Sequence, residues 1–175
     1  LAAPPDPKQL SDLPGRSLRG TFFRAVPAAF AAEPLSLEGS LKHGGRYNPI
    51  GAFGALYCGE SPAVCAGEIR KRAATHPVLP HRLARIQVHL QRVLDLTDPA
   101  TVAALGLRPE QLMAEDWQPT QQLAAQARAA GFEALLVPSA VGPGRNLVVF
   151  LDRLDPESRV RLVGTLRPFR ILPRL

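Results

Sequence analysis

Apolar positions recur along this chain in short blocks, and the period of each block predicts an element. Residues 18–26, LRGTFFRAV, are rich in aromatic and β-favouring residues and predict a first strand. Residues 27–54 hold no long apolar block and carry glycines at 39, 44, 45, 51 and 54. They read as a long loop, of the kind that is more often functional than idle. Residues 55–58, ALYC, predict a short strand. Ser61 then offers an N-cap and Pro62 a first helical position, for a helix running through AVCAGEIRKRA. The basic Arg70-Lys71-Arg72 end of that helix suits the negative pole of its dipole.

Residues 82–90, RLARIQVHL, alternate as a strand, and residues 95–99 form a turn and cap before a short helix near 99–105. Thr120 is the expected cap of a helix over QQLAAQARAA, stopped by Gly131. Residues 134–138 and 146–151 predict two more strands around SAVGPGR, and the tail from Arg159 predicts one or two edge strands. Residues 1–17 hold four prolines and little periodicity, and read as an arm before a single domain over 18–175. Few crossovers fit repeated βαβ units, so the expected class is α+β.

The 175 residues suffice for one domain, and a chain of this size buries roughly 70% of its unfolded surface without a disulfide or metal staple. Cys58 and Cys65 are too few for a disulfide framework, and no Cys/His spacing suggests zinc. A reduced, cytoplasmic protein is the simplest expectation. The formal charge of +6 and a pI near 10.1 admit nucleic acid, an acidic protein or a phosphate-bearing small molecule. An arginine-, alanine- and proline-biased composition raises the pI without choosing among them. No apolar run of about 18 residues predicts a membrane span, and Leu1-Ala2-Ala3 lacks the regions of a signal peptide.

No GxSxG elbow, Walker loop, HExxH or GxGxxG pattern is present. The candidates are instead polar residues at the edges of predicted elements. Arg46 follows two glycines that let backbone lie close to a ligand; it either grips a phosphate or stands in solvent beside a turn. Tyr47 can stack on a flat ring. Arg24 and Tyr57 each have an ordinary reading, as an edge arginine and a core aromatic. Glu68 lies on a short helix near Val64 and Cys65, where a carboxylate costs free energy unless paired or used. Its plain alternative is an i,i+4 pair with Arg72, worth about 0.2–0.5 kcal/mol. Ser139 and Asn146 flank VGPGR as turn formers, or face the same pocket as Glu68.

The succession FFRAVP, GGRYNPIG, ALYCGESPAVCAGEI, LDLTD, TQQLAAQARAAGFEALLVPSA and NLVVF resembles the RES domain family, over roughly residues 18–151. These are toxins of RES–Xre toxin–antitoxin pairs, named for an arginine, a glutamate and a serine. The resemblance implies an ADP-ribosyltransferase-like fold with a mixed or antiparallel split sheet and flanking helices. It implies NAD+ as substrate, cleaved at the nicotinamide–ribose bond by water or phosphate, with protein ADP-ribosylation in some members. Arg46, Glu68 and Ser139 match the naming triad, and Arg24, Tyr47, Tyr57 and Asn146 fall at positions near the NAD+. Tyr47 stands where many relatives carry tryptophan. No metal is required. An Xre-type antitoxin and self-association are the implied partners, and neither membrane nor direct nucleic-acid binding is expected. A basic nucleic-acid module is the competing class, although no helix-turn-helix, RNP or basic-helix signature supports it.

Overall fold

The computed structural model describes residues 5–75 and 77–171. Its strands are β1 (Arg16–Pro27), β2 (Leu56–Gly59), β3 (His81–Asp95), β4 (Ala134–Pro138), β5 (Arg145–Val149), β6 (Arg159–Leu162) and β7 (Arg167–Phe169). Its α-helices are α1 (Pro7–Asp12), α2 (Glu38–His43), α3 (Pro62–Ala73), α4 (Pro99–Ala104), α5 (Pro109–Met113) and α6 (Gln118–Ala129). The order along the sheet is β1-β2-β5-β4-β3-β6, with β7 also on β3. Among the described residues only β3 and β4 run parallel; the other pairings are antiparallel. The α+β class and the mixed sheet with flanking helices are therefore as expected.

The pairings close on themselves, because β1 also runs along β3 over almost its whole length. The joint of β1 with β2 is far weaker and holds at one register, Phe23 opposite Gly59. Side chains alternate about this closed path with the period of two that strands impose. Leu56, Cys58, Leu136, Leu147 and Val149 turn inward with Phe22, Ile86 and Val88. Leu135, Val137, Val148 and Phe150 turn outward, where Leu123, Ala124 and Ala127 of α6 and Leu10 of α1 cover them.

The parity of β3 changes partway. Two steps along β1, from Arg16 to Leu18, span three steps along β3, from Val93 to Leu90. This bulge leaves the consecutive N–H groups of Gln91 and Arg92 pointing the same way, and both donate to Glu133 Oε2, at 2.6 and 2.7 Å. The other Glu133 oxygen accepts from Asp155 N at 2.7 Å. Glu133 is 1% exposed, so a buried carboxylate here clasps the bulge to the loop before β6.

Several predicted boundaries need correction. Residues 7–12, read as part of an arm, form a helix capped by Asp6, with Leu10 fully buried. Arg92 ties this helix down by donating to Ser11 O at 3.3 Å, and residues 16–17 already belong to β1. Residues 1–4 of the predicted arm lie outside the described residues. The long loop 27–54 contains α2 and a 3-10 turn at Ala28–Phe30. Thr120 is not a cap: α6 begins at Gln118, with Pro119 in its first turn, and the Thr120 hydroxyl donates to Arg46 O at 2.6 Å and Trp117 O at 3.0 Å. Ser61, by contrast, caps α3 by accepting from Val64 N at 3.2 Å. Gly131 ends α6 at φ +87° as predicted, and the tail forms two strands on β3. Among the described residues no helix is long and apolar enough to cross a membrane.

Candidate functional site

Glu68 lies at the centre of the polar residues the sequence singles out. Ser61 and Pro62 start α3 so that its second turn meets the ends of β4 and β5. There Ser139 Oγ donates to Glu68 Oε1 at 3.1 Å, and Asn146 Nδ2 donates to the same oxygen at 2.8 Å. Ser139 follows β4, and Asn146 is on β5, paired with both Gly59 and Val137. Three chain segments thus converge on one carboxylate oxygen. Glu68 Oε2 takes no hydrogen bond from a described residue, and the i,i+4 pair with Arg72 does not form. The carboxylate is held in place from one side and left able to act on the other.

Tyr57 sits on the same face of the sheet as Asn146, one strand over. Its hydroxyl accepts from Tyr47 N at 3.0 Å and donates to Asn48 Oδ1 at 2.7 Å. Asn48 is fully buried and donates onward to Ser40 O and Phe53 O, at 2.8 and 3.1 Å. The GGRYN segment is therefore folded tightly around the Tyr57 hydroxyl. Gly45 is required for that fit: a Cβ there would lie 2.6 Å from the Tyr57 oxygen and 2.9 Å from Asn48 Oδ1. Gly44, at φ +67°, makes the turn into it. Burial pushes the Tyr57 phenol up to about 12.

Tyr47 is placed differently from the expectation of a stacking platform. Its ring is 3% exposed within the outer core cluster, so it has no open face for a ligand ring. Its hydroxyl is buried without a hydrogen-bond partner. Burial raises its pKa, and nearby Glu68 acts in the same direction. What Tyr47 brings to the site is an unanswered hydroxyl.

Arg46 is committed elsewhere at one end of its guanidinium. Nη1 donates to the carbonyls of Leu112 and Ala114, at the end of α5, and the group lies 5.7 Å from the centre of the Trp117 ring. It anchors the GGRYN segment to α5 and the start of α6, where Gln121 Nε2 adds a bond to Gly45 O at 2.9 Å. Arg24 is on β1 beside the weak β1–β2 joint. Its Nη2 donates to Ser36 O at 3.2 Å, and its Nη1 is buried without a partner. Burial holds its pKa below the ordinary guanidinium range; Cys58 opposes that effect and Arg72 adds to it.

The structure thus brings Glu68, Ser139 and Asn146 into direct contact, with Tyr57 and Tyr47 beside them. Arg46 and Arg24 approach from two other elements. The sequence reading missed Asn48, which orients Tyr57; its only sequence signal is its place in GGRYN. It also read Arg72 only as part of the basic end of α3 and as a partner for Glu68. Both cysteines are buried and reduced, and the Cys58 thiol is pushed by burial to about 12. Among the described residues no group of His, Cys, Asp and Glu side chains could hold a metal.

Comparison with known proteins adds the family context. The model of the RES domain matches residues 21–171. A probable NAD(+) phosphorylase of Mycobacterium tuberculosis is 33% identical over 181 residues, covering 94% of this chain and 86% of that protein. The NAD(+) phosphorylase MbcT of Mycobacterium bovis is 31% identical over 131 residues, covering 71% of this chain and 70% of its own. Among solved structures, the M. tuberculosis MbcT–MbcA toxin–antitoxin complex contains a chain that superposes with a TM-score of 0.80 at 28% identity. The match covers 93% of this chain and 90% of that one.

Proposed function

This chain belongs to the RES domain family, and from that premise we propose that it is a toxin that depletes NAD+ by cleaving the nicotinamide–ribose bond. The observation that carries the reading is the Glu68 carboxylate, fixed through Oε1 by Ser139 and Asn146 with Oε2 unpartnered. Nicotinamide leaves with the electron pair of its bond to ribose C1′, and positive charge builds on the ribose ring. A carboxylate already held in place stabilises that charge without reorganising at the moment of reaction. An oxygen of phosphate then bonds to C1′, giving ADP-ribose phosphate and free nicotinamide; with water instead, ADP-ribose and a proton result. Glu68 Oε2 is the oxygen available to orient the ribose hydroxyls or to receive a proton from the attacking group.

The relatives named NAD(+) phosphorylase favour phosphate as the acceptor. We read the sheet, with its weak β1–β2 joint, as an ADP-ribosyltransferase-like arrangement in which NAD+ lies across that joint. Arg24 then holds the diphosphate, the partly exposed Tyr57 ring contacts the nicotinamide end, and the Tyr47 hydroxyl finds its acceptor on the ligand. Arg46 contributes by anchoring the GGRYN segment and through the guanidinium nitrogens not bound to α5. The likeness to a toxin crystallised with MbcA supports an antitoxin partner, here of the Xre type, acting in the cytoplasm.

The test is purified protein with NAD+, with and without inorganic phosphate, followed by chromatography of the products. Nicotinamide and ADP-ribose phosphate formed only with phosphate is the expected result; Glu68→Gln should abolish it while leaving the circular dichroism spectrum intact. NAD+ left untouched in both conditions, with no label passing from NAD+ to protein, would overturn the proposal.

A further inference from the structure

Arg24 carries a charge that the protein itself leaves unanswered. It is half-buried on β1, on the same side of the sheet as Cys58. One nitrogen is satisfied by Ser36 O, but Nη1 is shut off from solvent and has no acceptor. No carboxylate among the described residues pairs with it. A buried charged donor without an acceptor forfeits its hydration and receives nothing in return.

A second arginine is on α3, which lies against β1 at this point: Cys65 Sγ donates to Phe23 O at 3.3 Å, next to Arg24, and Arg72 is seven residues beyond Cys65 on the same face of the helix. Arg72 is four residues beyond Glu68, so the helical repeat puts it on the Glu68 side of α3, one turn closer to the C-terminus. It is exposed, and its guanidinium makes no hydrogen bond or ion pair with a described residue. It is near enough to Arg24 and to Tyr57 to act electrostatically on both. Two guanidinium groups that act on each other without an anion between them repel, and the one that is buried cannot turn away to water. Phosphoryl oxygens suit such a gap, because several acceptors on one tetrahedral centre can serve two planar forks together.

We propose that Arg24 and Arg72 form the two sides of an anion subsite beside the β1–β2 joint, taking a phosphoryl group within reach of Glu68. This rests on the NAD+-cleaving reading and deepens it by assigning Arg72 a place in ligand binding. The phosphoryl group has two chemical sources, the diphosphate of NAD+ and the inorganic phosphate that attacks C1′.

Two measurements decide the matter. In the first, NAD+ and inorganic phosphate are varied independently for the wild type, Arg72→Ala, Arg72→Lys and the neighbouring control Lys71→Ala. Arg72→Ala should raise one KM by roughly tenfold to a hundredfold, the range expected for loss of a charge-assisted contact. Arg72→Lys should recover part of the loss, and Lys71→Ala should match the wild type. A raised KM for NAD+ identifies the diphosphate as occupant; a raised KM for phosphate identifies the attacking anion. The second measurement needs no turnover: millimolar inorganic phosphate or pyrophosphate should raise the thermal midpoint of the wild type, and less so that of Arg72→Ala. Equal midpoint shifts in the two proteins, or both KM values unmoved in Arg72→Ala, would overturn the subsite. If the wild type fails to cleave NAD+, the NAD+-cleaving reading falls, and the midpoint measurement still decides the anion site.

Discussion

Glu133 offers the sharpest test of the physical account of this fold. Replacing it by alanine removes the acceptor of three backbone N–H groups: Gln91, Arg92 and Asp155. Gln91 N retains a second acceptor in Ser158 Oγ at 3.2 Å, so Arg92 and Asp155 are the donors left stranded. A fully buried unsatisfied donor costs about 1–3 kcal/mol; with Arg92 half-buried and Asp155 exposed, the pair falls in the lower part of the resulting range of about 2–6 kcal/mol. Relief from burying the carboxylate itself offsets part of this, leaving a net loss of about 2–4 kcal/mol. Urea unfolding followed by circular dichroism should show a midpoint lower by roughly 1–2 M, with the slope unchanged at about 1–3 kcal/mol per molar. Glu133→Gln discriminates further. Its amide has one accepting atom where the carboxylate has two, so one N–H must meet another donor, and at least half the loss should remain. Glu133→Ala losing less than about 0.5 kcal/mol would refute the idea that this carboxylate holds the β3 bulge.

Ser139→Ala should lower kcat for NAD+ cleavage by roughly tenfold or more, since one of two bonds fixing the Glu68 oxygen is lost while Asn146 still holds it; steady-state kinetics at saturating NAD+ checks this. Gly45→Ala forces a Cβ against the Tyr57 hydroxyl and should cost about 1–3 kcal/mol in thermal or urea unfolding, as overpacking does. Stability should also fall in alkali. Cys58 and Tyr57 bind their protons more tightly when folded, both pushed to about 12 from ordinary values of 9.0 and 10.0. Their contribution is therefore complete below about pH 9 and is lost as pH climbs toward 12. Urea midpoints at pH 8.5 and 10.5 should show the decline, and a flat or rising profile would contradict it.

Much of the fold was legible because its signals are local. A capping serine with proline behind it starts α3, and a glycine that tolerates positive φ ends α6; neither depends on distant residues. The unbroken apolar runs of β4 and β5 likewise reflect two buried faces, whatever lies beyond them. Residues 7–12 were missed because six residues show too little periodicity, and what holds that helix is Leu10 packing in the outer core and Arg92, some eighty positions away. The start of α6 was misplaced because threonine is a common cap, whereas here its hydroxyl is drawn to Arg46 O on a distant loop.

The same division runs through the site. By itself the sequence determined which groups were worth considering: Glu68 on the apolar side of a short helix, Ser139 and Asn146 at strand ends, and a glycine pair before Arg46. Helical and strand periodicities carry that much, since they depend on neighbours along the chain. Only the tertiary structure decided that Ser139 and Asn146 share one Glu68 oxygen in place of an Arg72 ion pair, and that Arg46 spends Nη1 on α5. Only it buried the Tyr47 ring and left Arg24 Nη1 unanswered. Hydrogen bonds of this kind join residues 66–78 positions apart, and their geometry follows from strand register and the closing of the sheet, which no local period encodes.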